Sequence, residues 1–91
     1  MENKILIITT TGCVACNILK ANVKEALSYI KNNDITLIVR DKRDFTKNYF
    51  KINKITDFPA MLFINNDVIK FKYCGSAPVA VIHRWLTIHF K

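Results

Sequence analysis

The sequence predicts an α/β protein: a four-stranded mixed sheet with helices on both faces, in the order β-α-β-α-β-β-α. Three observations predict it. Short apolar runs over residues 5–8 and 60–64 have the length of buried strands. Between them, Leu19, Val23, Leu27 and Ile30 recur with the period of one helical face. Asn65-Asn66-Asp67 then separates two strand-like segments with the composition of a tight hairpin turn.

The elements follow in order. Residues 4–9 are rich in Ile and Leu, as in a centre strand buried on both faces. Thr10-Thr11-Gly12 turns the chain into a helix over residues 13–31, which Asn32-Asn33-Asp34 stops. Residues 35–39 make a second buried strand, parallel to the first across a right-handed crossover. Asp44 can cap a short helix that places Phe45, Tyr49 and Ile52 on one face. Residues 60–64 and 68–74 form the antiparallel pair. In the last strand Val68, Lys70 and Lys72 alternate with Ile69, Phe71 and Tyr73, one face partly charged and one apolar, as on a sheet edge. Gly75 ends that strand. Ser76 can cap a final helix with Pro78 in its first turn and Val79, Ile82, Leu86 and Phe90 facing inward. Trp85 is expected in the core or at its margin, and His83 and His89 on the helix surface without a role.

Composition agrees with one packed domain over residues 1–91. Apolar residues make up 51% and charged residues 23%, with only two Gly and two Pro, which excludes disordered, collagen-like and low-complexity chains. No apolar run approaches the ~20 residues of a membrane span. The apolar stretch near the start is too short for a signal peptide, and Thr10-Thr11-Gly12-Cys13 lacks the apolar residue of a lipoprotein cleavage site. The expectation is an unprocessed, cytoplasmic monomer with no membrane association. Three cysteines, an odd number, argue against a disulfide scaffold.

Two of those cysteines are spaced for chemistry. Cys13 falls where the first strand gives way to the helix, beside backbone N–H groups without intrahelical partners and at the positive end of the helix dipole. In such settings a cysteine pKa can fall from about 8.5 to about 3.5–7.5, and only the thiolate attacks a disulfide. Cys16 shares the inward face of Leu19 and Val23, so it should be the more buried thiol. An exposed attacker beside a shielded second thiol is what disulfide exchange requires. A zinc site is the first alternative. Only Cys74, His83 and His89 could complete the usual four ligands, and the two histidines are six apart on a helix, so no metal is expected. A pair of inert thiols at a helix start is the second alternative.

Cys13-Val14-Ala15-Cys16 after a buried strand, with Phe58-Pro59 opening an apolar strand, resembles the thioredoxin and glutaredoxin superfamily over nearly the whole chain. The resemblance implies a thioredoxin-like fold and a role for each matching residue. Cys13 matches the attacking cysteine and Cys16 the resolving one. Pro59 matches a cis-proline facing the pair, against the alternative of a trans proline that merely begins a strand. Gly12, Val14, Phe58, Pro59 and Gly75 would line the substrate site, with the Phe58 backbone pairing to an extended substrate. Cys74 matches a position near the site rim. There it could form a second disulfide or a glutathione adduct, or be a small apolar filler.

The chain also departs from the family. Gly12 stands where thioredoxins carry tryptophan, and no carboxylate occurs in Ile5-Leu6-Ile7-Ile8, where they carry a buried acid. Val14-Ala15 is neither Gly-Pro nor Pro-Tyr, which leaves the reduction potential open. Residues 73–78 lack the acid by which glutaredoxins hold glutathione.

The expected function is therefore a thiol–disulfide oxidoreductase with no bound cofactor. Its partners would be protein disulfides, with ribonucleotide reductase among those the family implies, and its electron donor a reductase or glutathione. The alternatives are a glutaredoxin using glutathione as co-substrate, and a non-catalytic module that binds a partner through the Pro59 surface. The net charge is +7, with Arg40, Lys42, Arg43, Lys47, Lys51 and Lys54 clustered around the second helix. Such a run is either a solvated face or a dock for an acidic protein surface. No nucleic-acid binding is expected, since that would want aromatics interleaved on an exposed sheet, and both sheet faces should be covered.

Overall fold

The computed structural model describes residues 2–31 and 34–90. Strand β1 (Asn3–Thr9) has no charged residue beyond Lys4, and Ile5, Leu6, Ile7 and Ile8 are all buried. A strand apolar on both faces belongs inside a sheet. β1 accordingly lies between β2 (Ile35–Asp41), which runs parallel to it, and β3 (Ala60–Asn65), which runs antiparallel. β4 (Val68–Cys74) pairs antiparallel with β3, giving the order β2-β1-β3-β4. Helices α1 (Val14–Ser28), α2 (Lys47–Ile52) and α3 (Val79–His89) complete the expected β-α-β-α-β-β-α order.

Alternation along the two centre strands divides the core in two. Ile5, Ile7, Met61 and Phe63 face α1 and α3, where Leu19, Val23, Ala26, Ile82 and Leu86 meet them. Leu6, Ile8, Ala60 and Leu62 face the other way, toward Ile55 and the side chains around α2.

Several boundaries differ from the sequence expectation. α1 stops at Ser28 rather than residue 31, because Tyr29 and Ile30 close a tighter turn onto the Ala26 and Leu27 carbonyls. Of the proposed stop signal, Asn32 and Asn33 lie outside the described residues. β2 is an edge strand, not a buried one: Leu37, Ile38 and Val39 are half-buried and Thr36 is exposed. Asp44 does not cap α2. It ends a separate 3-10 turn (Lys42–Asp44) capped by Asp41, and the Thr46 hydroxyl accepts the Tyr49 N–H at 3.1 Å to cap α2 itself. Phe50, not the exposed Ile52, joins Phe45 and Tyr49 in the second core.

Ser76 likewise caps nothing. Pro78 occupies the cap position of α3 and offers no side-chain acceptor. A register shift of one residue in β4 places Ile64 opposite Ile69 but Phe63 opposite Phe71. Ile69 and Phe71 therefore reach opposite cores, which a strict alternation does not allow. His89 is not idle on the surface: its ring stacks on Phe71 with centroids 4.5 Å apart. Trp85 sits at the core margin, as expected, against Phe71 and Tyr73.

Candidate active site

The turn between β1 and α1 is built to start a helix sharply. Gly12 adopts φ +69°, the left-handed region that side chains disfavour. Cys13 then takes an extended conformation and serves as the N-cap of α1, in the position that Ser, Thr, Asp or Asn usually fills. Its Sγ accepts the backbone N–H of Cys16 at 3.0 Å. A donor aimed at sulfur and the positive end of the helix both favour the thiolate over the thiol.

Cys13 and Cys16 are joined as a disulfide. Cys13 is half-buried, whereas Cys16 is 2% exposed on the inward face of α1. This is the asymmetry that the helix period predicts. Gly12, Cys13, Val14 and Cys16 line a cleft of about 310 Å³ together with Thr9, Thr10, Asn17 and Lys20. Asn17 and Lys20 follow Cys13 by four and seven residues, so they share its helix face. That spacing is legible in the sequence, which nonetheless drew attention to neither residue. Val14 is 72% exposed and gives the cleft an apolar rim.

The sheet brings Phe58, Pro59 and Gly75 to the same end of the fold. Register sets Ala60 opposite both Ile8 of β1 and Cys74 of β4, so Pro59 lies at the level where β1 runs out toward Cys13. The Phe58–Pro59 peptide bond is cis, as the resemblance implies. Pro59 is buried, and its carbonyl accepts the Gly75 N–H at 2.7 Å. Phe58 is half-buried, and among the described residues its backbone N–H and C=O have no hydrogen-bond partner. Cys74 is half-buried and packs against the second core, beside Gly75.

Among the described residues no charged or polar side chain is buried, so no acid stands behind Cys16. Nor do three or more His, Cys, Asp or Glu side chains cluster for a metal among them. No helix there is long and apolar enough to cross a membrane.

No protein-family model matches the sequence. No curated protein matches it either. Its structure, however, is similar to solved thioredoxins. The thioredoxin-2 described as a component of malaria parasite protein secretion machinery superposes with a TM-score of 0.76 at 14% identity, over 97% of this chain and 84% of that one. Another malarial protein gives a TM-score of 0.77 at 12% identity over 100% of both chains. Chloroplastic thioredoxin z gives 0.69 at 17% identity, over 96% of this chain and 77% of that one.

Proposed function

We propose, from the premise that this chain has the thioredoxin-like fold, that it is a dithiol oxidoreductase reducing protein disulfides through Cys13 and Cys16. One observation carries the reading: the sulfur of a half-buried Cys13 caps α1 and accepts the N–H of a fully buried Cys16. A structural disulfide or a metal site has no use for that asymmetry.

In the reduced chain the Cys13 thiolate attacks one sulfur of a substrate disulfide. A Cys13–substrate bond forms, the substrate S–S bond breaks, and the leaving sulfur departs as a thiolate that takes up a proton. Cys16 loses its proton and attacks the Cys13 sulfur. The Cys13–Cys16 bond forms and the second substrate thiol is released. The substrate gains two electrons and the chain loses two, to be restored by a reductase or by glutathione. With no buried acid beside Cys16, its proton leaves through the departing substrate thiolate or water. Phe58, whose unpartnered backbone lies next to Pro59, would hold the substrate in extended form, with Gly12, Val14 and Gly75 around it. A cytoplasmic monomer fits this reducing role, with ribonucleotide reductase among the substrates that such chemistry serves.

Mass spectrometry after reaction with a disulfide-bonded peptide tests the reading. Cys16→Ser should accumulate a covalent peptide adduct on Cys13, and Cys13→Ser should form no adduct and reduce nothing. Full turnover by Cys13→Ser overturns the assignment. A wild-type chain that stops at a stable glutathione adduct would favour the glutaredoxin reading.

A further inference from the structure

The redox chemistry leaves the basic segment after β2 unused. Lys42, Arg43 and Lys47 stand exposed around a groove of about 290 Å³ lined by Phe45, Phe50 and Phe58. The rings form one cluster, with Phe50 centroids 5.8 Å from Phe45 and 5.2 Å from Phe58. Lys42 Nζ lies 5.8 Å from the Phe58 ring centroid. Arg43 is partly matched by Asp41, whose Oδ1 lies 3.0 Å from its Nε. Neither Lys42 nor Lys47 forms an ion pair with another described residue. Six Lys and Arg face three Asp over residues 40–58, so the segment stays cationic.

Its location gives the charge a use. Asp41 pairs with Thr9 in the β1–β2 register and Lys42 follows at once, so the groove opens at the end of the sheet that carries Cys13. Phe58 belongs to both surfaces: its ring lines the groove, while its unpartnered backbone adjoins Pro59. We infer that the groove docks an acidic segment of the disulfide-bearing protein. Carboxylates would lie against Lys42 and Lys47, and an apolar side chain on the phenylalanine floor. This deepens the oxidoreductase reading and rests on it. Charge complementarity selects an anionic partner, and the ring geometry selects a peptide over a nucleic acid. The three rings are half-buried, Phe50 meets Phe58 at 74°, and Lys42 covers Phe58, so no ring pair offers a base an open stacking platform.

Two disulfide-bonded peptides with the same core, one flanked by Glu and the other by Gln, test the inference through kcat/KM. The wild-type chain should prefer the Glu peptide about tenfold at low ionic strength, since rim charges act mainly on association. The preference should fall toward unity at about 0.5 M salt, and in the double variant Lys42→Gln with Lys47→Gln. Lys24→Gln with Lys31→Gln removes the same charge from exposed positions on α1 and in the turn after it, and should keep the preference. Equal rates for the two peptides, or a preference that survives the double variant, overturn the inference.

If even neutral bis(2-hydroxyethyl) disulfide is not reduced, the oxidoreductase reading fails instead. Fluorescence anisotropy of the labelled Glu peptide on the oxidised chain then tests the groove by itself, and binding must drop in the double variant. A single-stranded oligonucleotide that displaces the Glu peptide at equal concentration would assign the groove to nucleic acid and overturn the docking of a peptide.

Discussion

Asp41 does at the end of β2 what Cys13 does beyond β1: each side chain caps the helical segment that comes after the strand. The Arg43 backbone N–H donates to Asp41 Oδ1 at 2.8 Å and its Nε at 3.0 Å. The backbone bond first and the guanidinium second hold the Asp41 carboxyl below its ordinary range. A depressed folded pKa stabilises the turn above the unfolded value, and that contribution is lost as pH falls through the folded one. In an acid titration followed by carboxyl carbon NMR, the Asp41 carboxyl should therefore titrate below the ordinary aspartate value, and the Arg43 amide should move with it. Arg43→Gln should raise the midpoint only part of the way, because the larger cause, the backbone donor, remains. An Asp41 midpoint at the ordinary aspartate value would show that the cap does not form in solution.

At the scale of elements, α2 is the least self-sufficient part of the chain. Six residues are too few to hold a helix by their own hydrogen bonds. Thr46 caps its start, and Lys72 reaches across from β4 to its end, donating to the Asn53 and Lys54 carbonyls at 2.8 and 2.9 Å. The one-residue shift in β4 is what sends Lys72 and Cys74 to the α2 side while Phe71 goes to the other. Lys72→Met should cost about 1–2 kcal/mol, a charged hydrogen-bonding group being worth roughly 1.5–3 kcal/mol before solvent discounts it. Urea denaturation reads that loss, and amide exchange should accelerate at residues 50–55 first. No change in either would leave α2 held by its aromatic contacts alone.

These elements also mark what a sequence can disclose. Strands β1 and β3 were legible as continuous apolar runs and the hairpin turn from its Asn-Asn-Asp composition, while the inward face of α1 was legible because burial imposes a helical period on its residues. The unequal exposure of Cys13 and Cys16 was legible for the same reason. The bulge, the split into a 3-10 turn and α2, and the failure of Ser76 to cap were not. Each depends on partners distant in sequence or on competition between neighbouring caps: Thr46 over Asp44, and Pro78 over Ser76. The phenylalanine groove was half legible. Its lysines formed a visible run, but the convergence of Phe45, Phe50 and Phe58 needed the fold.

The whole molecule has two cores on opposite faces of one sheet, and its centre strands β1 and β3 serve both. Ile7 and Phe63 serve the α1–α3 side, while Ile8 and Leu62, their neighbours in the chain, serve the α2 side. Neither core can dissolve without disturbing backbone that the other requires, so unfolding should be a single transition. Leu62→Ala tests this from the far side. Leu62 is fully buried, and its truncation should cost about 2–5 kcal/mol through lost burial and the cavity left behind. Trp85, the chain's one tryptophan, lies across the sheet against Phe71 and Tyr73. Its fluorescence transition and the far-ultraviolet circular dichroism transition should therefore move together in urea, by the same free energy. If the variant's helix signal melts early while Trp85 keeps its wild-type midpoint, the cores are separable. The basic groove on the α2 side would then open independently of the sheet that carries Cys13.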